Sequence, residues 1–374
     1  MKILISIGTR PEAIKMASLV KTLKEDPFFE VRVCNTGQHR ELIKPILKLF
    51  KIFPEYSLNS MQPGAGISNL FGRILSLFTE VIEDFNPDLV LVHGDTATTA
   101  ASSLAAYFCK TKVAHIEAGL RTGNMYSPWP EEGNRKLVGG LAEFHFSPTI
   151  MASQNLINEG VDESKIFITG NTVIDSLFLA IEVLDTNKNL YSELEEKYAY
   201  LDSAKRLILV TGHRRENFGD GFLNICSALA KLNKNNDDIQ IIYPVHLNPN
   251  VIKPVKKILS DKSNIHLIDP IGYLDFVFLM KKSFFILTDS GGIQEEAPSI
   301  GKPVLLMRDT TERPEAIDSG TVKIVGANEG SILTNAQRLL DDLNLYQQMS
   351  QAKNPFGSGD ACLKICNKLK KIKL

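Results

Sequence analysis

No Cys-x-x-Cys pair occurs in this sequence; its five cysteines, Cys34, Cys109, Cys226, Cys362 and Cys366, stand apart. That spacing argues against a zinc knuckle or a disulfide scaffold, so the thiols read as reduced, mostly buried small hydrophobes. Charge of one sign is lacking too, the formal net charge being -1. Nothing in that balance calls for nucleic acid or an anionic membrane as partner. No apolar run is long enough to span a bilayer, and the first, Met1 to Gly8, is too short for a secretory leader and reads as a strand. A cytoplasmic protein is expected. Also missing are a Gly-x-x-x-x-Gly-Lys-Ser/Thr loop, a Gly-x-Gly-x-x-Gly turn after a strand, His-Glu-x-x-His, Gly-x-Ser-x-Gly and any Asp-x-Asp pair. These absences leave no motif for a metal or redox cofactor, and none is expected.

What is present is a series of short apolar runs bounded by turn residues, with helix-like stretches between most of them. The first series is Ile3–Ile7, Val31–Asn35, Leu89–Val92, Val113–Ile116, Phe144–Phe146 and Ile166–Thr169. The second is Leu207–Val210, Ile239–Tyr243, Ile265–Ile268, Phe284–Leu287, Val304–Met307 and Val322–Val325. Continuous apolar strands alternating with helices indicate parallel sheets covered on both faces, and two series in 374 residues indicate two doubly wound α/β domains. The linker is placed near Gly170 to Thr172, and the polar segment Asp185 to Lys205 reads as an exposed helical excursion of the second domain. The lysines of Lys364 to Leu374 read as the solvated face at a helix end.

In such sheets ligands lie beyond the carboxyl ends of the strands, so the residues after each run carry the interest. The stretch Thr288 to Pro298 reads as strand, tight turn and helix. Ser290 is a natural N-cap there, and Gly291 and Gly292 let backbone N–H groups and the helix dipole converge on an anion such as a phosphate. A capped turn with a solvated acidic start is the other reading. Glu296, about a turn on, is placed to accept from a ribose diol. Gly8 opens a helix bearing Arg10 and Lys15 near its start, where a cation opposes the dipole unless an anion binds. Asp95 and Glu117 follow their strands and would face the same cleft. Tyr126 to Arg135 holds the only tryptophan between two prolines, together with Glu131 and Glu132, which also suit a helix start. His213 lies between strand Leu207–Val210 and further cations, and Arg313 adds to the same edge. Cations, a phosphate-type turn and carboxylates together indicate proton chemistry on a phosphorylated ligand.

The motifs Gly8 to Met16, Val92 to Thr96, His115 to Gly123, Ser127 to Glu132, Thr169 to Thr172, Gly212 to Glu216, Thr288 to Pro298 and Arg308 to Glu315 together resemble the bacterial non-hydrolysing UDP-N-acetylglucosamine 2-epimerases, from Lys2 to about Gly359. The resemblance implies a GT-B fold: residues 1–170 as an N-terminal Rossmann-like domain, 171–359 as a UDP-binding domain, 360–374 as a helix packing back on the first. It implies a homodimer and interconversion of UDP-GlcNAc and UDP-ManNAc, by elimination of UDP to 2-acetamidoglucal and re-addition, in bacterial surface-polysaccharide synthesis. Carried over, Asp95, Glu117 and Glu131 are the site carboxylates, with His213 beside them. Arg10, Ser290, Gly291 and Gly292 hold the diphosphate. Lys15, Arg135 and Arg313 line the sugar and phosphate side, Phe276 meets uracil and Glu296 the ribose. Gln38, Glu41 and His246 resemble a second, allosteric UDP-GlcNAc site, although Glu41 stands where some members have Gln and Met61 to Gly66 lacks their basic residue. The rivals are a hydrolysing 2-epimerase, a GT-B glycosyltransferase and a silent UDP-sugar sensor.

Overall fold

A computed structural model describes residues 1–62 and 64–372; Pro63, within Met61 to Gly66, and Lys373 and Leu374 of the lysine-rich end lie outside the described residues. Every apolar run named above becomes a strand. The first series forms β1 (Lys2–Ile7), β2 (Glu30–Asn35), β3 (Tyr56–Ser57), β4 (Leu89–His93), β5 (Lys112–Ile116), β6 (Phe144–Ser147) and β7 (Ile166–Ile168), in the parallel order β3-β2-β1-β4-β5-β6-β7. The second forms β8 (Arg206–Thr211), β9 (Ile239–Pro244), β10 (Ile265–Ile268), β11 (Phe285–Thr288), β12 (Val304–Leu306) and β13 (Val322–Ile324), in the order β10-β9-β8-β11-β12-β13. Strand order reverses between β1 and β4 in one sheet and between β8 and β11 in the other. The crevice beyond the strand ends opens at such a reversal, because successive helices leave on opposite faces.

The chain forms two compact units, residues 1–179 with 356–374, and residues 180–355. In the first, helix Ile67–Phe85 buries Leu70, Ile74, Phe78, Val81, Ile82 and Phe85, a stripe at three- and four-residue spacing. That stripe meets Leu4, Val90 and Val92 of the sheet and the alanines of helix Ala97–Phe108, whose small side chains let it lie close. The last helix, Ala361–Leu369, packs on helix Arg10–Glu25. Its free N–H groups are met by a buried carboxylate, Asp175, which accepts from Cys362 at 2.9 Å and Ala361 at 3.3 Å.

In the second unit, helix Asp220–Asn235 turns Phe222, Ile225, Cys226, Leu229 and Leu232 into the core. The segment Asp185 to Lys205 is a mostly exposed helical excursion of this unit, as expected, with an anchor that was not. Helix Lys188–Lys197 is polar, but it buries Leu194, and Tyr198 just beyond it stacks on Phe278 at 5.8 Å between ring centres. Its apolar residues are too few to stand out in a polar stretch, yet they anchor it. Among the described residues no helix is long and apolar enough to cross a membrane.

Candidate active-site residues

At the end of β1 the backbone turns through Gly8 and Thr9 into helix Arg10–Glu25. A Cβ on Gly8 would come within 2.1 Å of both Thr36 Oγ1 and Thr98 Oγ1, so only glycine fits. Glu12, almost wholly buried, accepts from the N–H groups of Gly8 at 2.9 Å and Thr9 at 2.7 Å, while Thr96 and Thr99 donate to its other oxygen at 2.6 and 3.1 Å. This capping box joins the β1 turn to the β4 turn and places a carboxylate where the helix dipole favours one. The conflict expected from Arg10 and Lys15 near the helix start is thereby offset inside the protein. Burial pushes the Glu12 carboxyl up, against those hydrogen bonds. The Arg10 backbone N–H donates to His39 Nδ1 at 3.5 Å.

Lys15 is not on a solvated face. Its Nζ donates to Glu117 Oε2, and Asn171 Nδ2 donates to the same oxygen at 2.6 Å. Glu117 follows β5 with φ +64, in the left-handed region that costs a side-chain-bearing residue roughly 1–2 kcal/mol. The conformation turns its carboxylate back toward the β4 turn, where a Cβ on Gly94 would lie 3.5 Å from Glu117 Oε1. His93 Nε2 stands 3.8 Å from Glu117 Oε2, buried and with no hydrogen-bond partner among the described residues. Burial holds its imidazole down to about 4, Glu117 opposing, so it is neutral near pH 7.

Asp95, one residue past Gly94, pairs with Arg135 at 2.6 Å. Arg135 also donates to Glu132 at 3.0 Å, and Glu132, fully buried, accepts from the N–H groups of Thr122 and Gly123 at 3.1 Å each. Asn134 Nδ2 donates to the Asp95 carbonyl at 2.8 Å. Helix Glu131–Leu141 begins at Glu131, so both glutamates do start a helix, yet Glu131 Oε2 is buried and unpartnered among the described residues while Glu132 braces the preceding loop. Gln38 Oε1 accepts from Thr98 N and Oγ1 at 3.2 and 2.9 Å. Glu41 is exposed and paired with Lys44 at 2.8 Å.

In the second unit the β8 and β11 ends are joined by Asp289, a wholly buried residue the sequence did not single out. Its Oδ2 accepts from the N–H groups of His213 and Arg214 at 2.8 Å each and from Asn217 Nδ2 at 3.4 Å. Asp289 Oδ1 lies 3.6 Å from His213 Nδ1. The His213 ring is half exposed and stacks on His246, with ring centres 5.5 Å apart. Partial burial lowers its pKa; Asp289 opposes that, and Arg214 and His246 reinforce it.

Ser290 is not the N-cap. Its N–H donates to Thr288 Oγ1 at 3.0 Å, and helix Ile293–Ser299 starts only after Gly292, which caps it without a side chain. Two glycines let the chain run on before it coils, which a reading of local capping preference misses. Gly291 is needed for closeness: a Cβ there would sit 2.7 Å from Arg313 and 2.8 Å from Glu312. Arg313 donates to Glu295 and, at 2.6 Å, to Glu312; Arg308 reaches Glu312 at 2.9 Å and Glu216 at 2.7 Å. Burial would raise the Glu312 carboxyl, but Arg313 and Arg308 hold it well below the usual range. Glu296 is buried and accepts from Tyr273 at 2.9 Å. Phe276 lies in the first turn of helix Tyr273–Lys282, its N–H bonded to the Gly272 carbonyl at 3.0 Å.

The arrangement thus gathers Lys15, His93, Glu117 and Asn171 in one cluster, and Asp95, Glu132 and Arg135 in another. A third holds His213, His246 and Asp289, and a fourth Arg308, Glu312, Arg313 and Glu295. Asn171 and Asp289 escape the sequence reading because their partners lie 54 and 76 residues away and no local pattern marks them; Glu12 escapes it despite its local capping box with Thr9, and Glu132 reads only as suiting a helix start.

Comparison with known proteins gives these clusters a setting. The sequence model of the UDP-N-acetylglucosamine 2-epimerase family matches residues 21–370. The UDP-N-acetylglucosamine 2-epimerase of Escherichia coli (strain K12) is 58% identical over 370 residues, covering 99% of this chain and 98% of that protein. A crystal structure of UDP-GlcNAc 2-epimerase from Neisseria meningitidis bound to UDP-GlcNAc superposes with a TM-score of 0.94 at 48% identity, covering 100% of both chains. The Methanocaldococcus jannaschii UDP-GlcNAc 2-epimerase, in complex with UDP-GlcNAc and UDP, gives a TM-score of 0.83 at 33% identity, again over 100% of both. The two doubly wound units are accordingly those of the GT-B fold.

Proposed function

From the premise that the chain belongs to the UDP-N-acetylglucosamine 2-epimerase family, we propose that it interconverts UDP-GlcNAc and UDP-ManNAc without releasing free sugar. The observation that carries this is the pair of carboxylates flanking Gly94: Asp95 held by Arg135, and Glu117 held by Lys15 and Asn171. Inverting C2 requires a proton to leave one face and return to the other, hence more than one proton-handling group.

The C2 hydrogen beside an acetamide is barely acidic, so direct abstraction is costly. Elimination removes that difficulty. The C2 proton passes to a carboxylate, the C2 electron pair forms the C1–C2 double bond, and the C1–O bond breaks with its electrons leaving on UDP. Re-addition of UDP to the glycal, with a proton delivered to the opposite face of C2, gives the epimer. Asp95, Glu117 and Glu131 are the groups we assign to these transfers; the Glu131 oxygen, without a hydrogen-bond partner among the described residues, supports its inclusion. Charge growing on the departing diphosphate calls for aimed donors. Arg10 and the Ser290–Gly292 turn fit that role, as does His213, which is backed by Asp289 and can donate an N–H; Arg313, held by Glu295 and Glu312, lines the sugar and phosphate side behind the turn. Lys15 and Arg135 lie on the sugar side, Phe276 against uracil and Glu296 on the ribose. Gln38, Glu41 and His246 are kept as a regulatory UDP-GlcNAc site. The working form is a cytoplasmic homodimer supplying ManNAc units for surface polysaccharide.

The test is proton NMR of the purified protein with UDP-GlcNAc in deuterated water. UDP-ManNAc with deuterium at C2 of both epimers is the expected result. Free ManNAc with UDP would replace the proposal by hydrolysis, and an unchanged spectrum would end it.

A further inference from the structure

The motif Thr169 to Thr172 reads from sequence as a linker and as part of the family resemblance, and the reaction scheme above gives it no proton to carry. The structure puts Asn171 in an unusual position. It is 2% exposed, and each of its polar groups has a fixed use. Its backbone N–H donates to the Phe356 carbonyl at 2.7 Å, and its Oδ1 accepts from Val173 N at 3.2 Å. Because the oxygen is committed to that N–H, the amide cannot be flipped, and the NH₂ must face Glu117 Oε2, 2.6 Å away. Gly170 makes the approach to Phe356 feasible: at φ +87, a Cβ there would lie 2.9 Å from the Phe356 carbonyl oxygen.

Glu117 meanwhile holds an unfavourable backbone conformation. A carboxylate turned that way needs neighbours that over-determine it. Lys15 supplies charge from a flexible stem, whereas Asn171 supplies a donor fixed at both ends, so direction comes from the amide. We infer that Asn171 is a positioning residue for the epimerisation, aiming and holding the Glu117 carboxylate for proton transfer through its side-chain amide. This rests on the functional reading above. Phe356 and Gly357, the start of the returning C-terminal segment, lie against the Gly170–Asn171 backbone and so fix the residue that carries the amide.

Asn171→Asp is the discriminating variant. It keeps the volume and the acceptor for Val173 N–H but sets a carboxylate in place of the donor. Turnover of UDP-GlcNAc by the full chain should fall about 10- to 100-fold near pH 8, the loss expected when a hydrogen bond to a charged group is removed, with KM within about threefold. Below about pH 6 the ratio to wild type should recover, because the introduced carboxyl, once protonated, again donates to Glu117. Asn171→Ala should show the loss without the recovery, and both variants should melt within a few degrees of wild type. A ratio that stays flat with pH, or an unchanged kcat in Asn171→Asp, would overturn the assignment. A wild-type chain that fails to exchange the C2 proton would overturn the epimerase reading, and this inference with it.

Discussion

The two units share a strand order around the reversal, β2-β1-β4-β5 in one and β9-β8-β11-β12 in the other, and each ties its two reversal loops with a buried carboxylate. In the first unit Glu12 takes N–H groups of the β1 turn and hydroxyls after β4; in the second Asp289, just after β11, takes N–H groups of the β8 turn. The solutions then diverge. The first unit buries pre-formed ion pairs around Gly94 and keeps His93 neutral beside them. The second leaves His213 half exposed and commits its buried cations to the Arg308–Glu312–Arg313–Glu295 network, backing a glycine turn. One scaffold thus carries carboxylate ion pairs at one reversal and a glycine turn backed by an arginine–glutamate network at the other, so the two units differ in what is grafted at the reversal and not in the fold.

The comparison can be tested in order of effect. Asp95→Asn or Glu117→Gln should each cost kcat about 10³-fold while UDP affinity, read by calorimetry, stays within about threefold. Comparable loss of UDP affinity would blur the division of labour. Arg313→Ala should do the reverse kind of damage. It strands Glu295, wholly buried, and Glu312, so about 3 kcal/mol of stability should be lost, seen as a marked fall in the melting temperature. An unchanged melting temperature would mean the network is dispensable.

Acid should separate the units next. Burial holds His93 near 4, His115 near 3 and His145 near 4, so each stays neutral in the native first unit but protonates in the unfolded chain near 6.5. The unfolded state then binds more protons. Stability present above about pH 6.5 is lost as pH falls toward 4, at most ~1.4 kcal/mol per pH unit for each histidine. Glu12 and Asp175, whose carboxyls burial raises, recover part of that loss. Hydrogen exchange at pH 7 and pH 5 should show the first sheet losing protection before the second; the opposite order would contradict this. The smallest effect is expected from Gly291→Ala. Its Cβ meets the ends of the Arg313 and Glu312 side chains, which must shift within their ion-pair network, so UDP binding should weaken about tenfold, ~1.4 kcal/mol, with a smaller fall in melting temperature than Arg313→Ala gives.

Parallel strands buried on both faces appear in sequence as unbroken apolar runs, which is why Ile3–Ile7 or Ile265–Ile268 could be placed to within a residue or two. β3 could not, since Tyr56–Ser57 is a two-residue edge with no run to see. The site was legible to the same depth. Asp95, Glu117 and His213 follow strands, where ligands are met, but which cation each faces is decided by long-range pairing. Lys15 read only as a cation near a helix start, with no partner marked, until the fold brought it to Glu117. Ser290 looked like a cap because capping preference is local, whereas the helix start was set by Gly291 and Gly292 running on to Ile293.

The last helix bears on how the molecule is made. Ala361–Leu369 buries Cys362, Ile365, Cys366 and Leu369 within the first unit, so residues synthesised after the second unit complete the part begun before it. Until then the sheet has been synthesised but its outer helix has not, and Asp175 waits for the N–H groups of Ala361 and Cys362. A chain cut before residue 356 would therefore carry all of the second unit's residues but an incomplete first unit, with the Asn171 anchor at Phe356 missing.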